Sequence, residues 1–139
     1  MAILVMEGND HVRDVIAAIL EWEGYDAVLA ANGMEALQQM RRRSDIVLAL
    51  VDATADAQDA WTLRRTILAD RRLARVPIVM MTGAMPPSHL PAGMLLKKPF
   101  GMSELLETVR TRASRVRPRK WAGAAQARPA TRSKRRAAG

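Results

Sequence analysis

The segment "IVLALVD", Ile46 to Asp52, is apolar at six consecutive positions and ends in a carboxylate. A strand with one wet face alternates apolar and polar residues, whereas six apolar residues in a row leave neither face for water. Such a strand belongs in the middle of a parallel sheet covered on both sides. The segment is too short for a core helix.

Working outward, the same alternation of short apolar runs and helical periodicity fills residues 1–117. Ile3 to Met6 reads as a buried strand. Val12, Val15, Ile16, Ile19 and Leu20 then recur at helical spacing until Gly24. "DAVLAA" is a second strand, Asn32-Gly33 a turn and Met34 to Arg42 a short helix. After the central strand, Asp59 to Ala69 fits a third helix, "VPIVMMT" a fourth strand and Met94 to Leu96 a fifth. Met102, Leu105, Leu106, Val109, Ala113 and Val116 mark a final amphipathic helix. Strands alternating with helices predict an α/β fold, a doubly wound, flavodoxin-like, five-stranded parallel sheet in the order 2-1-3-4-5.

Length and composition agree with one domain. The chain has 139 residues and no cysteine, which excludes disulfide frameworks and thiolate metal sites. No apolar run approaches the length that spans a bilayer, and no basic segment precedes the first strand, so neither a membrane anchor nor a signal peptide is expected. A cytoplasmic protein is the resulting expectation. The net charge of +8 is unevenly placed: from Arg110 onward there are eleven Lys or Arg and no acid, leaving residues 1–109 with eleven bases against fourteen acids, a net of −3. The expected organisation is a globular domain over 1–117 and a basic, disordered tail over 118–139, where Trp121 is nearly alone as a residue to bury.

In such a fold the ligand site lies beyond the carboxyl ends of the strands. Those ends carry Glu7, Asp52, Thr82 and Lys98. A carboxylate can attack a phosphoryl group, a hydroxyl and an ammonium can hold its oxygens, and a further acid can help hold magnesium. Taken singly, each residue has an ordinary explanation: a helix cap, a β-branched strand residue, a solvated lysine. Four together at four strand ends point to phosphoryl chemistry.

Over residues 2 to 115 the chain resembles the receiver domains of bacterial two-component response regulators. The pieces that carry the resemblance are "ILVMEGNDHVRDVI", "EGYDAVLAANGMEAL", "LALVDATADAQDAW", "VPIVMMTG" and "KKPF", in that order. The resemblance implies that Asp52 is phosphorylated by a histidine kinase or a histidine phosphotransfer protein, and that the protein works in phosphorelay signalling by binding an unidentified output protein. It implies that Thr82 is the switch hydroxyl, that Lys98 contacts the phosphoryl oxygens, and that the Lys98-Pro99 peptide is cis. It implies magnesium held by Glu7 through water, by Asp52 and by the Thr54 carbonyl.

The chain departs from that family in four places. The family presents two adjacent acids after the first strand; here the second position is Gly8, which predicts weakened metal binding. Thr82 and Lys98 are sixteen positions apart, and Pro86, Pro87 and Pro91 lie between them, so a shortened fourth helix is expected. Leu95 stands where most members carry a switching aromatic. The loop after Asp52 lacks the usual proline and glycine. Because only the tail follows the last helix, a stand-alone receiver without a DNA-binding or catalytic output module is expected.

Three other readings compete. Aspartate-nucleophile phosphatases of the haloacid dehalogenase type need an acid two residues after the nucleophile, and here Asp52 is followed by Ala53 and Thr54; they also place the nucleophile on the first strand. A receiver-shaped adaptor that never turns over phosphate is favoured by Gly8. Association of the basic tail with nucleic acid is favoured by its Lys and Arg and by Trp121.

Overall fold

A strand that returns to its sheet through a helix lies parallel to the strand before it, and this chain repeats that step from its first residues. In the computed structural model, which describes residues 1–54, 56–83 and 93–113, the order is β1 (Ala2–Met6), α1 (Asp10–Trp22), β2 (Asp26–Ala30), α2 (Gly33–Arg42), β3 (Ile46–Asp52), α3 (Ala57–Ala69), β4 (Ile78–Thr82), β5 (Leu95–Lys97) and α4 (Met102–Ala113). The strands form one parallel sheet in the order β2-β1-β3-β4-β5, as expected from the sequence.

Several boundaries move. Asn32-Gly33 is no separate turn: Asn32 caps α2 and Gly33 is its first residue. The third helix begins at Ala57 rather than Asp59 because Asp56 caps it, its side chain accepting from the Asp59 N–H. The fourth strand begins at Ile78, two residues later than the apolar run suggests. The shortened fourth helix, with its prolines, lies outside the described residues, as do Val116, Trp121 and the whole of 118–139.

The sheet has a core on each side. Leu4, Met6, Ala49, Val51 and Met80 face α2 and α3, meeting Ala36, Met40, Leu63 and Ile67. Ile3, Val5, Leu50, Val79 and Met81 face α1 and α4, meeting Ile16, Leu20, Leu105 and Val109. β3 is buried along its full length. Its alternation slips once: Val47 and Leu48 lie in the same core, and the β1–β3 register shifts between Ala2–Ile46 and Ile3–Leu48. This is a β-bulge, an extra residue that sends two successive side chains to one face. From Leu48 onward the alternation resumes and delivers Asp52 to the carboxyl end.

Short-range chemistry fixes the helix ends. Asn9, Asn32 and Asp56 each accept a backbone N–H of the first turn of α1, α2 and α3. α1 ends in a Schellman arrangement, with the Gly24 N–H donating to the Glu21 carbonyl and the Tyr25 N–H to the Leu20 carbonyl. Gly24 takes φ 95° there, the left-handed conformation that a side chain disfavours. At the amino end of the sheet, Arg43 donates to both oxygens of Asp45, at 2.9 and 2.6 Å. Arg110 joins α4 to the end of α1 through Glu23 at 2.9 Å. Among the described residues no helix is long and apolar enough to cross a membrane.

Candidate functional site

Four strand ends meet at the carboxyl edge of the sheet. β1 runs out into Glu7, which is 2% exposed; β3 ends on Asp52 and β4 on Thr82, both nearly as buried. β5 ends at Lys97, and its pairing with β4 sets Thr82 opposite Lys97. The Lys98 N–H donates to the Thr82 carbonyl at 2.9 Å, which extends the ladder by one step. The Lys98-Pro99 peptide is cis.

Lys98 is the hinge of the site. Its Nζ donates to Glu7 Oε1 at 2.9 Å and to Asp52 Oδ1 at 3.0 Å. Asp52 Oδ1 also accepts the Thr54 N–H at 3.0 Å. Neither bond uses Oδ2. Burial works against the charged form of Asp52, but the hydrogen bonds from Lys98 and the Thr54 backbone outweigh it, and Asp52 is more acidic than an ordinary aspartate. Burial also disfavours the Lys98 ammonium; hydrogen bonds to Glu7 and Asp52 win there too, and its pKa is raised.

Of the residues the sequence singles out, the structure brings Glu7, Asp52 and Lys98 into one contact set and buries Thr82 at the end of the adjacent strand; Thr54, expected to act through its carbonyl, meets the Asp52 carboxylate through its N–H. The sequence reading did not anticipate the support around Glu7. The Asn9 N–H donates to Glu7 Oε2 at 3.2 Å, and Arg13 donates to the Glu7 carbonyl at 2.8 Å while gripping Asp10 at 2.6 Å. The sequence signals were indirect: Asn9 is a cap residue ahead of the helical periodicity and Asp10 with Arg13 stands at i,i+3 spacing, but neither points to Glu7.

Gly8 is not demanded by the backbone. Its φ is not positive, and a Cβ built there meets only the Ala31 carbonyl oxygen at 3.9 Å, an ordinary contact. An acid therefore fits where this chain has none. Among the described residues no cluster of three or more His, Cys, Asp or Glu gathers. Two carboxylates with a neighbouring carbonyl still suit a hard divalent cation that retains waters. With Lys98 paired to both acids, the Glu7–Asp52–Lys98 set carries one net negative charge, less than a second acid would supply. Beside Lys98, a cleft of about 540 Å³ opens between α1 and α4, walled by Val12, Val15, Ile19, Phe100 and Met102.

No family model matches the chain. It is 30% identical over 126 residues to the response regulator MprA of Mycobacterium leprae, an alignment covering 85% of this chain and 53% of that protein. It thus spans about half the length of the curated relatives it matches. The receiver domain of the sensor histidine kinase PA1611 from Pseudomonas aeruginosa PAO1, solved with a magnesium ion coordinated in its active site cleft, superimposes with a TM-score of 0.68 at 27% identity, covering 81% of this chain and 97% of that one. The Vibrio cholerae chemotaxis protein CheY4 shares the fold, with a TM-score of 0.71 at 23% identity over 81% of this chain and 98% of its own.

Proposed function

We propose that this chain, which has the fold of a receiver domain and response regulators for relatives, accepts a phosphoryl group on Asp52 in a phosphorelay. The observation that carries the reading is the convergence of Asp52, Lys98 and Glu7 within direct hydrogen-bonding distance at the carboxyl edge of the sheet. The donor is a phosphohistidine on a kinase or a histidine phosphotransfer protein. Asp52 Oδ2, which takes neither the Lys98 bond nor the Thr54 N–H bond, attacks phosphorus; the P–N bond breaks, the imidazole nitrogen keeps the electron pair and takes a proton, and a P–O bond forms on Asp52. Lys98 then exchanges its bond to Asp52 for one to a phosphoryl oxygen, and the Thr82 hydroxyl donates to another. Glu7, Asp52 and the Thr54 carbonyl would hold Mg2+, which supplies charge neutralisation on the phosphoryl oxygens. Gly8 lowers its affinity.

A low pKa on Asp52 keeps the nucleophile ionised at neutral pH, which an acyl phosphate acceptor requires. Output passes through protein binding at the faces of the domain. Leu95 packs partly buried against the core on the α2–α3 side, so an aromatic rotation at that position is not the relay. A domain ending near residue 117 with a separate basic segment beyond is part of the same reading, and rests on the charge distribution. The test is transfer from a phosphohistidine-bearing kinase domain: wild type should gain label that is lost in mild base or hydroxylamine, and Asp52→Asn should gain none. Equal label on both would overturn the assignment.

The second reading, an adaptor that binds partners without phosphorylation, draws on one observation. Lys98 pairs with both Glu7 and Asp52. Retained binding of the same partner by Asp52→Asn and Lys98→Met would favour it.

A further inference from the structure

At the edge of the sheet opposite Asp52, the C-terminal turn of α2 and the connection between α3 and β4 enclose a cleft of about 680 Å³. Five arginines line it: Arg41, Arg42, Arg43, Arg72 and Arg75. The acid on its wall, Asp70, is occupied in the turn, its carboxylate accepting the N–H groups of Arg72 and Leu73. Six of the eleven bases in residues 1–109 fall in the two short stretches 41–43 and 71–75, although that part of the chain is acidic overall.

Two ordinary explanations cover only part of this. Arg41 and Arg42 complement the dipole at the end of α2. Arg43 is committed to Asp45 and Asp26. Among the described residues Arg41, Arg42, Arg72 and Arg75 form no ion pair, and all four are exposed. Unpaired like charges around one concavity repel, and an anion seated among them relieves that repulsion. Every member of the set is arginine, whose planar fork matches phosphate oxygens two at a time.

Beyond this cleft, the C-terminal part of the sequence is also basic. α4 runs back across the sheet, and Arg110 in its last turns pairs with Glu23 at the end of α1. The chain therefore leaves Ala113 at the amino edge, and residues 110–139 carry eleven bases without an acid. Two sources of positive charge in one chain fit an extended polyanion better than a small one. Phosphodiesters supply repeating charge at fixed spacing, and their neutralisation releases counterions.

We propose that this arginine cleft is a docking site for the nucleic-acid phosphate backbone, separate from the phosphoryl site and working alongside the basic C-terminal segment. The contacts go to phosphate, so binding is independent of base sequence. The test uses the full-length chain and a fluorescein-labelled mixed-sequence DNA duplex, read by anisotropy from about 50 to 200 mM salt. The triple variant Arg41→Ala, Arg42→Ala, Arg75→Ala should weaken binding about tenfold or more and lower the log–log salt slope by about 3, one per arginine. Unchanged affinity and slope would overturn the proposal by assigning all binding to the C-terminal segment. Binding to phosphatidylglycerol vesicles but not to DNA would overturn it in favour of a membrane surface. Should the triple variant fail to fold, amide shifts of the wild-type chain on adding the duplex decide: movement within 41–46 and 70–76 supports the cleft, and movement confined elsewhere refutes it.

Discussion

Lys98 reaches Asp52 across 46 positions of sequence, its Nζ 3.0 Å from Oδ1, and the same nitrogen holds Glu7 at 2.9 Å. One ammonium thus bridges two buried carboxyl groups and helps hold Asp52 in its charged form. Removing it leaves both acids buried without a cation. Lys98→Met should cost about 3 kcal/mol at neutral pH, the low end of the range for breaking a buried pair, because the Lys98 side chain remains 22% exposed. Denaturant melts measure it; a loss within error of zero would mean water already screens the pair.

The pH dependence of that variant should run opposite to the wild type. In the wild type the Asp52 pKa is lowered on folding, so its contribution is present above the unfolded carboxylate value near 4 and is lost as pH falls through the lower folded value. The Lys98 pKa is raised, so its contribution is full below about 10 and is lost as pH rises through the folded value. In Lys98→Met the buried Asp52 loses the cation that offsets its desolvation, which raises its folded pKa. Its stability should therefore increase as pH falls from 7 toward 5. Parallel profiles for the two proteins would refute the coupling.

Gly8→Asp restores an acid to a position with room for it. Magnesium binding should tighten by about 1 to 3 kcal/mol, the worth of a charge-assisted contact. Isothermal titration gives the comparison, and identical affinities would show that Gly8 is a connecting residue only.

Gly24 tests the scaffold apart from the site. At φ 95° it closes the Schellman turn of α1, and Gly24→Ala should lower stability by about 1 kcal/mol with no change in phosphorylation. A neutral effect would mean the turn relaxes into another conformation.

Most of the fold is legible in the sequence because burial on both faces of a sheet leaves a one-dimensional trace. "IVLALVD" could be nothing but a central strand once its length and its carboxylate were weighed together, and the helical spacing of Val12, Ile16 and Leu20 fixed the next element. What was not legible has local causes. The bulge at Val47 and Leu48 is invisible because both residues are apolar in either register. Asn32 and Asp56 pass for turn residues until a helix is seen to start on them. The site was legible as residue types at strand ends; the bonds of Asn9 and Arg13 to Glu7 were not, since backbone carbonyls and N–H groups leave no mark in a sequence. The arginine cleft escaped for a different reason: 41–43 and 71–75 look like unrelated solvated runs until the fold sets them side by side.

The most direct measurement is the intact mass of the full chain after incubation with acetyl phosphate and magnesium. Phosphoacceptance by Asp52 predicts a mass gain of one phosphate that is lost in mild base or hydroxylamine, is absent from Asp52→Asn, and is larger at equal magnesium in Gly8→Asp. No gain in either the wild type or Gly8→Asp, or an equal gain in Asp52→Asn, would contradict it.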